Sequence, residues 1–262
     1  MNYVKLYGHF IKNSIMAQME FKANFIISIC TEIAFVFAKS LYIIVLFTAG
    51  LNINGLSPEQ MLMFIGSYTL ITGIMDSVYY PNIAAIPEYV HMAQLDMYLT
   101  KPVNSLFMVS FRKFDLGLGI PNYIAGIIMI AVSWIKCGVA FSFRNGAGYL
   151  FFTLTGCILT YPLLLIPVLL SFWTIKSNAL MDGIWALWDF NNMPMTIYNR
   201  IVRMIGIFIV PIFILTNFAP MFVFGLLPRS FAIFSVAAIP IFFALALFIW
   251  HRALKHYSSA SC

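Results

Sequence analysis

Long apolar runs alternate with short polar breaks along almost the whole chain. Residues 25–49 are mostly apolar, with Glu32 and Lys39 as the charged breaks. As a helix rising 1.5 Å per residue this run would reach about 37 Å, more than the hydrocarbon thickness of about 30 Å. Residues 61–80, 116–135, 149–173 and 231–251 form further runs of spanning length. Between 173 and 231 two segments compete: 177–193 is moderately apolar and carries Asp182 and Asp189, whereas 201–222 is strongly apolar but contains Pro211 and Pro220. Only one of them needs to cross, so the pattern predicts six transmembrane helices. Residues 2–22 differ in kind. Tyr3, Leu6, Tyr7, Phe10, Ile11 and Ile15 fall on one side of a 3.6-residue wheel, opposite Lys5, His9, Lys12 and Asn13, the pattern of a basic amphipathic helix lying in the headgroup layer.

Composition supports the membrane reading. The 262 residues are 62% hydrophobic and 9% charged, with 26 Phe and a mean hydropathy of +0.92, where a soluble domain carries about 25% charged residues. There are too few polar side chains to cover a water-facing surface. The expected fold class is an all-α polytopic membrane protein in one domain, 1–262. No short apolar leader opens the chain, and a cleaved signal peptide is not expected.

Charge sets the orientation. Fifteen Lys and Arg outnumber nine Asp and Glu, but they are scattered rather than patched, which argues against a nucleic-acid partner. With the N-terminus inside and 201–222 as span five, Lys5, Lys12, Lys22, Lys101, Arg112, Lys113, Lys176, Arg200, Arg203, Arg252 and Lys255 face the cytoplasm, as the positive-inside rule requires. If 177–193 crosses instead, Arg200 and Arg203 move outside and the bias weakens without reversing. Both versions leave both termini cytoplasmic. Residues 50–59, with Asn52, Asn54 and Gly55, read as an outer loop, and 81–113, the longest polar stretch, as a cytoplasmic segment.

Little in the chain can carry covalent chemistry. No GxxxxGK[ST] run offers a phosphate cradle and no HExxH a zinc site, so no catalytic residue, metal or cofactor is expected in the chain itself. Cys30, Cys137, Cys157 and Cys262 lie far apart and read as small apolar core residues. The ionisable residues expected in spans are Glu32, Lys39 and Asp76. Glu32 and Lys39 share one helix face but stand about 10 Å apart along it, so each needs a partner elsewhere. Either this face lines a transport path, or Lys39 snorkels to the interface and Glu32 is a tethered structural group. Asp76, close to the end of span two, reads as a boundary residue unless it joins that path. Thr69, Gly73 and Ser77, and also Ala34 and Ala38, form small-residue stripes that allow close helix approach.

The run Gln94-Leu95-Asp96-Met97-Tyr98-Leu99-Thr100-Lys101-Pro102-Val103-Asn104 resembles the G-x-L-D-x-Y-L-x-[KR]-P block that follows the second span in type-2 ABC exporter permeases, with Ala93 where that block has Gly. The stretch from Pro194 to Arg203, with Val210-Pro211 and Ala219-Pro220, is similar to the family's segment before the last span, which dips into the outer leaflet and returns. That likeness favours 177–193 as span five, against the stronger hydropathy of 201–222. The resemblance implies a permease paired with a second, identical or paralogous, permease and with ABC ATPase subunits that hold ATP and Mg. It further implies a coupling helix near residues 87–99, stopped by Pro102, that seats in a groove of the ATPase. Asp96 and Lys101 would make charge-assisted contacts there, Tyr98 and Leu99 would be buried anchors, and Glu88 and Leu95 would belong to the same joint.

The expected activity is therefore ATP-driven export from the cytoplasm across the plasma membrane. A carrier or channel without an ATPase, and a membrane scaffold or sensor subunit, are the alternatives.

Overall fold

The computed structural model describes residues 2–49, 54–174 and 177–257, which form helices joined by short connections with no strand among them. Lys176 and Cys262, and Gly50 and Asn52 of the first outer loop, lie outside the described residues. Local chemistry accounts for many of the helix starts. Helix α1, Tyr3–Glu20, is capped by the Asn2 side chain and is separated from α2, Lys22–Ala49, by a kink at Phe21. Helix α3, Pro58–Val78, opens with a capping box: Gln60 N–H donates to Ser57 Oγ at 3.3 Å and Ser57 N–H to Gln60 Oε1 at 3.0 Å. Such a reciprocal pair satisfies two otherwise orphaned donors.

Four short helices follow: α4, Tyr80–Ile83; α5, Ile86–His91; α6, Asp96–Leu99; and α7, Ser105–Phe111. Then come α8, Leu116–Lys136, and α9, Phe143–Leu169, which a 3₁₀ turn extends to Phe172. Helix α10, Ser177–Asp189, continues as a 3₁₀ turn to Asn192. Helix α11, Arg200–Met204, runs through a π-helical turn to Ile209, and α12, Ile212–Val223, leaves it at an angle of 104°. Helix α13, Arg229–His256, ends the described chain.

Five of these helices are long and apolar enough to cross a membrane: α2, α3, α8, α9 with its extension, and α13. This is an all-α polytopic membrane fold. Helix α3 is its centre, with Met61, Met63 and Ile71 fully buried. It meets α8 along small residues, where Gly66, Gly73 and Gly126 leave no room for a side chain: a methyl on Gly126 would lie 2.8 Å from Leu70 N, and one on Gly73 2.8 Å from Asn122 Cβ. Gly73 and Ser77 of the predicted stripe thus do face a neighbour, whereas Ala34 and Ala38 are exposed. Helix α2 stands at the periphery with Ile26, Ile33, Phe35 and Phe37 open.

The bundle has two ends. At the bottom, α1 packs on α7 through Tyr3 on Phe107 and Tyr7 on Phe111, and α13 finishes beside α9, with His256 stacked on Trp173. At the top lie the α2–α3 and α8–α9 connections. The segment 194–224 starts and finishes at the top: Asn54 of the α2–α3 connection donates to the Thr196 carbonyl at 3.1 Å, and Phe222 packs on Gly148 near the start of α9. Its bend, at Val210 and Ile212, reaches Thr160 and Leu164 halfway down α9. The hairpin of α11 and α12 therefore enters and leaves the bundle at one end, while α10 climbs from the bottom beside it.

Candidate functional site

Spacing of three, four or seven residues gathers polar and aromatic side chains from separate helices at one place. Helix α3 contributes Tyr68, Thr72 and Asp76, α2 contributes Glu32, Phe35 and Lys39, and α10 contributes Trp185 and Asp189. With Tyr80, Leu118 and Asn192 they line a cavity of about 460 Å³. Phe35 is 58% exposed and Trp185 38%, so the cavity opens on the side of the bundle shared by α2 and α10.

The three ionisable residues predicted for a transport path all line this cavity. Glu32 and Lys39 find partners on other helices, as their separation requires: Asn122 of α8 donates Nδ2–H to Glu32 Oε2 at 2.6 Å, and the Lys39 ammonium sits 4.8 Å from the centre of the Tyr68 ring. A cation on an aromatic face gains about 0.5–2 kcal/mol according to its exposure. Lys39 does not snorkel free of the protein. Asp76 lies in the last turn of α3, yet it is buried at 6% exposure and its Oδ1 has no hydrogen-bond partner. Around it, Trp185 Nε1–H donates to Tyr80 Oη at 2.9 Å and Asn192 Nδ2–H to Asp189 Oδ1 at 3.1 Å. Nothing in the sequence marks Tyr68, Tyr80 and Trp185 as lining residues, and Asp189 stands there only as a charge in 177–193, although Tyr68, Thr72 and Asp76 recur every four residues.

A second site lies at the bottom. Residues 87–99 form two helices rather than one, because Ala93 takes a left-handed conformation, φ +53°. This ends α5, and Gln94 and Leu95 N–H both donate to the Tyr89 carbonyl, at 2.9 and 3.1 Å. Leu95 is fully buried and Tyr98 is 5% exposed, its ring 5.1 Å from that of Tyr89 and its Oη accepting from Arg112 Nη1 at 3.1 Å. Burial raises the Tyr98 phenol pKa above its ordinary value. Tyr98 thus anchors the segment within its own chain and is not presented to a partner. Glu88, Leu99, Lys101 and Pro102 are exposed, as are Met92 and Met97, while Asp96 is half-buried and interacts with Tyr257.

The segment is held at both ends. Asn82 donates to the Lys113 carbonyl at 2.8 Å and accepts from Lys113 N–H at 2.7 Å, and Asp115 N–H donates to the Ser77 carbonyl at 2.9 Å. Helix α1 joins through Ser14, which accepts from Phe114 N–H at 3.1 Å, and through Gln18, which donates to the Phe114 carbonyl and accepts from Leu116 N–H. Of α1, the half-buried residues are Leu6, Tyr7, Phe10, Ile11, Ser14, Ile15 and Gln18, the apolar stripe read from the wheel without Tyr3, which is exposed, and with two polar members added.

Residues 33–261 match the family model described as ABC-2 family transporter protein. The chain belongs to the ABC-2 transporter family. No curated protein and no solved structure matches it. As an ABC-2 membrane domain the chain is a permease subunit of an ABC transporter, a complex in which the family associates with an ABC ATPase.

Proposed function

We propose that this ABC-2 permease exports a substrate from the cytoplasm by alternating access, driven by ATP that a separate ATPase subunit binds with Mg and hydrolyses. The bottom of the bundle faces the cytoplasm of a cell whose plasma membrane holds the protein. Lys5, Lys12, Lys22, Lys101, Arg112, Lys113, Arg252 and Lys255 belong to that end, against Lys136, Arg144, Arg200, Arg203 and Arg229 at the top, in keeping with the positive-inside rule. Helix α10 with its 3₁₀ extension is the fifth crossing. At about 1.5 Å per residue for the helix and 2.0 Å for the turn it spans roughly 26 Å, enough with slight local thinning.

One observation carries the reading: the 80–115 segment projects an apolar lip, Met92, Met97 and Leu99, beside charged Glu88 and Lys101, from a body stapled to α1 and α3. Exposed apolar side chains outside the bilayer mark a partner surface. The staples would transmit a push on that lip to α3 and so to the cavity, rocking this subunit against a second permease, identical or paralogous.

Affinity purification of the chain from its native membrane is expected to recover an ABC ATPase, and Leu99→Arg or Met97→Arg to remove it while leaving the permease in the membrane. Recovery of the permease alone, with transport that follows an ion gradient, would replace this reading with a carrier. A complex that hydrolyses ATP yet moves nothing into vesicles would make the chain a scaffold.

A further inference from the structure

We propose that the cavity between α2, α3 and α10 binds an amphipathic organic cation, and that this is the class of compound the permease moves. The inference rests on the permease reading and adds to it the sign of the ligand's charge.

Three carboxylates, Glu32, Asp76 and Asp189, share the cavity with one ammonium, that of Lys39. Two of them are bonded by neutral amides, Glu32 by Asn122 and Asp189 by Asn192, so neither is compensated in charge by its partner. The third, Asp76, is buried with Oδ1 unpartnered. Asp76 is costly to ionise there, since the one ammonium of Lys39 is shared with Glu32, and a bound cation supplies the missing counter-charge. The chain itself shows how a cation sits here, since the Lys39 ammonium rests on the face of Tyr68.

The remaining walls suit the rest of such a ligand. Tyr80 and Trp185 engage each other edge to face with centroids 5.0 Å apart and are joined by a hydrogen bond. This arrangement fixes the Trp185 ring at the mouth and leaves aromatic surface for a second cation–π or stacking contact. Phe35 beside it is apolar. A volume of about 460 Å³ lies within the range of pockets that enclose a drug-sized molecule. An anion would meet three carboxyl groups and a single ammonium already seated on a ring.

The test uses the full chain in nanodiscs of zwitterionic lipid, with empty discs as the baseline, and calorimetric titration with tetraphenylphosphonium and tetraphenylborate, ions of one shape and opposite charge. Tetraphenylphosphonium is expected to bind at least about tenfold more tightly than tetraphenylborate, and Asp76→Asn to weaken it about tenfold, the loss of one charge-assisted contact. Lys39→Gln, which removes the competing ammonium, is expected to tighten it, so the inference stays open to refutation even if Asp76→Asn does not fold. Equal affinity for the two ions, preference for the borate, or weaker phosphonium binding in Lys39→Gln would overturn it. This titration needs no ATPase. If phosphonium binds as expected but the ATP-fuelled complex does not move it, the export reading fails and the cation site stands. If the complex exports neutral compounds and phosphonium never binds, the cation site fails alone.

Discussion

Ala93 shows how one residue can set the shape of a functional segment. Its left-handed backbone, φ +53°, turns residues 87–99 back on themselves, so that Leu95 and Tyr98 plug into the protein and Met97 and Leu99 point away. A side chain with a Cβ pays about 1–2 kcal/mol in this region, and glycine loses part of that advantage through its larger entropy in the unfolded chain. Ala93→Gly is therefore expected to stabilise the protein by about 1 kcal/mol, raising the apparent melting temperature in detergent by about 2–4 °C. A lowered melting temperature would mean that the turn is not left-handed. The motif around Leu95 and Pro102 was legible in the sequence, and so was the small residue at 93. The break in the helix was not: the Gly that the resembled block has at this place points to a left-handed turn, but an alanine between helix-forming neighbours reads as a continuing helix.

At the scale of elements, the seams between helices depend on the absence of side chains. In lipid, apolar surface gains nothing by leaving the solvent, so helices associate through close packing and polar contacts. Gly126 of α8 lies so near the α3 backbone that a methyl would fall 2.8 Å from Leu70 N and 2.9 Å from Leu70 Cα. Gly183 of α10 has nothing within 4 Å. Gly126→Ala is expected to cost about 1–3 kcal/mol by forcing α3 and α8 apart, and Gly183→Ala to be neutral or to gain up to about 1 kcal/mol through helix propensity. Thermal unfolding of the two variants side by side checks the contrast, and equal behaviour would show that the seam is looser than described. The same physics limits what sequence could reveal. The Gly73 and Ser77 stripe and the Ala34 and Ala38 stripe have the same spacing, yet only the first is buried, because a helix that is apolar all round does not declare which face meets lipid. The charged cavity residues were easier to find. Glu32 and Lys39 stand out against an apolar helix, whereas the tyrosines and Trp185 that complete the wall look like any other membrane aromatic.

For the whole molecule, the open question in the sequence was where the chain crosses after residue 173, and hydropathy favours 201–222, the stretch that the proposed topology leaves re-entrant. Phe213, Ile214, Leu215 and Phe218 are at most 1% exposed. Helix α12 is apolar because it is buried against α9 and α3, and a hydropathy average cannot separate burial in protein from burial in lipid. The 104° bend next to Val210 and Pro211 follows from chemistry: proline offers no N–H to continue the ladder, and the π-helical turn before it has already loosened it. The consequence can be measured from outside the cell. In a background with the native cysteines replaced, single cysteines at Asn54, Arg200 and Leu226, all exposed, are expected to react with a membrane-impermeant maleimide on intact cells. A cysteine at Lys101 is expected to react only after permeabilisation. Positions 200 and 226 decide the matter, since a re-entrant hairpin puts both on the side of Asn54, whereas a crossing between them would put one on the side of Lys101. Labelling of 200 and 226 from opposite sides would make α12 the fifth crossing and detach α10 from the cavity wall, taking Trp185 and Asp189 with it.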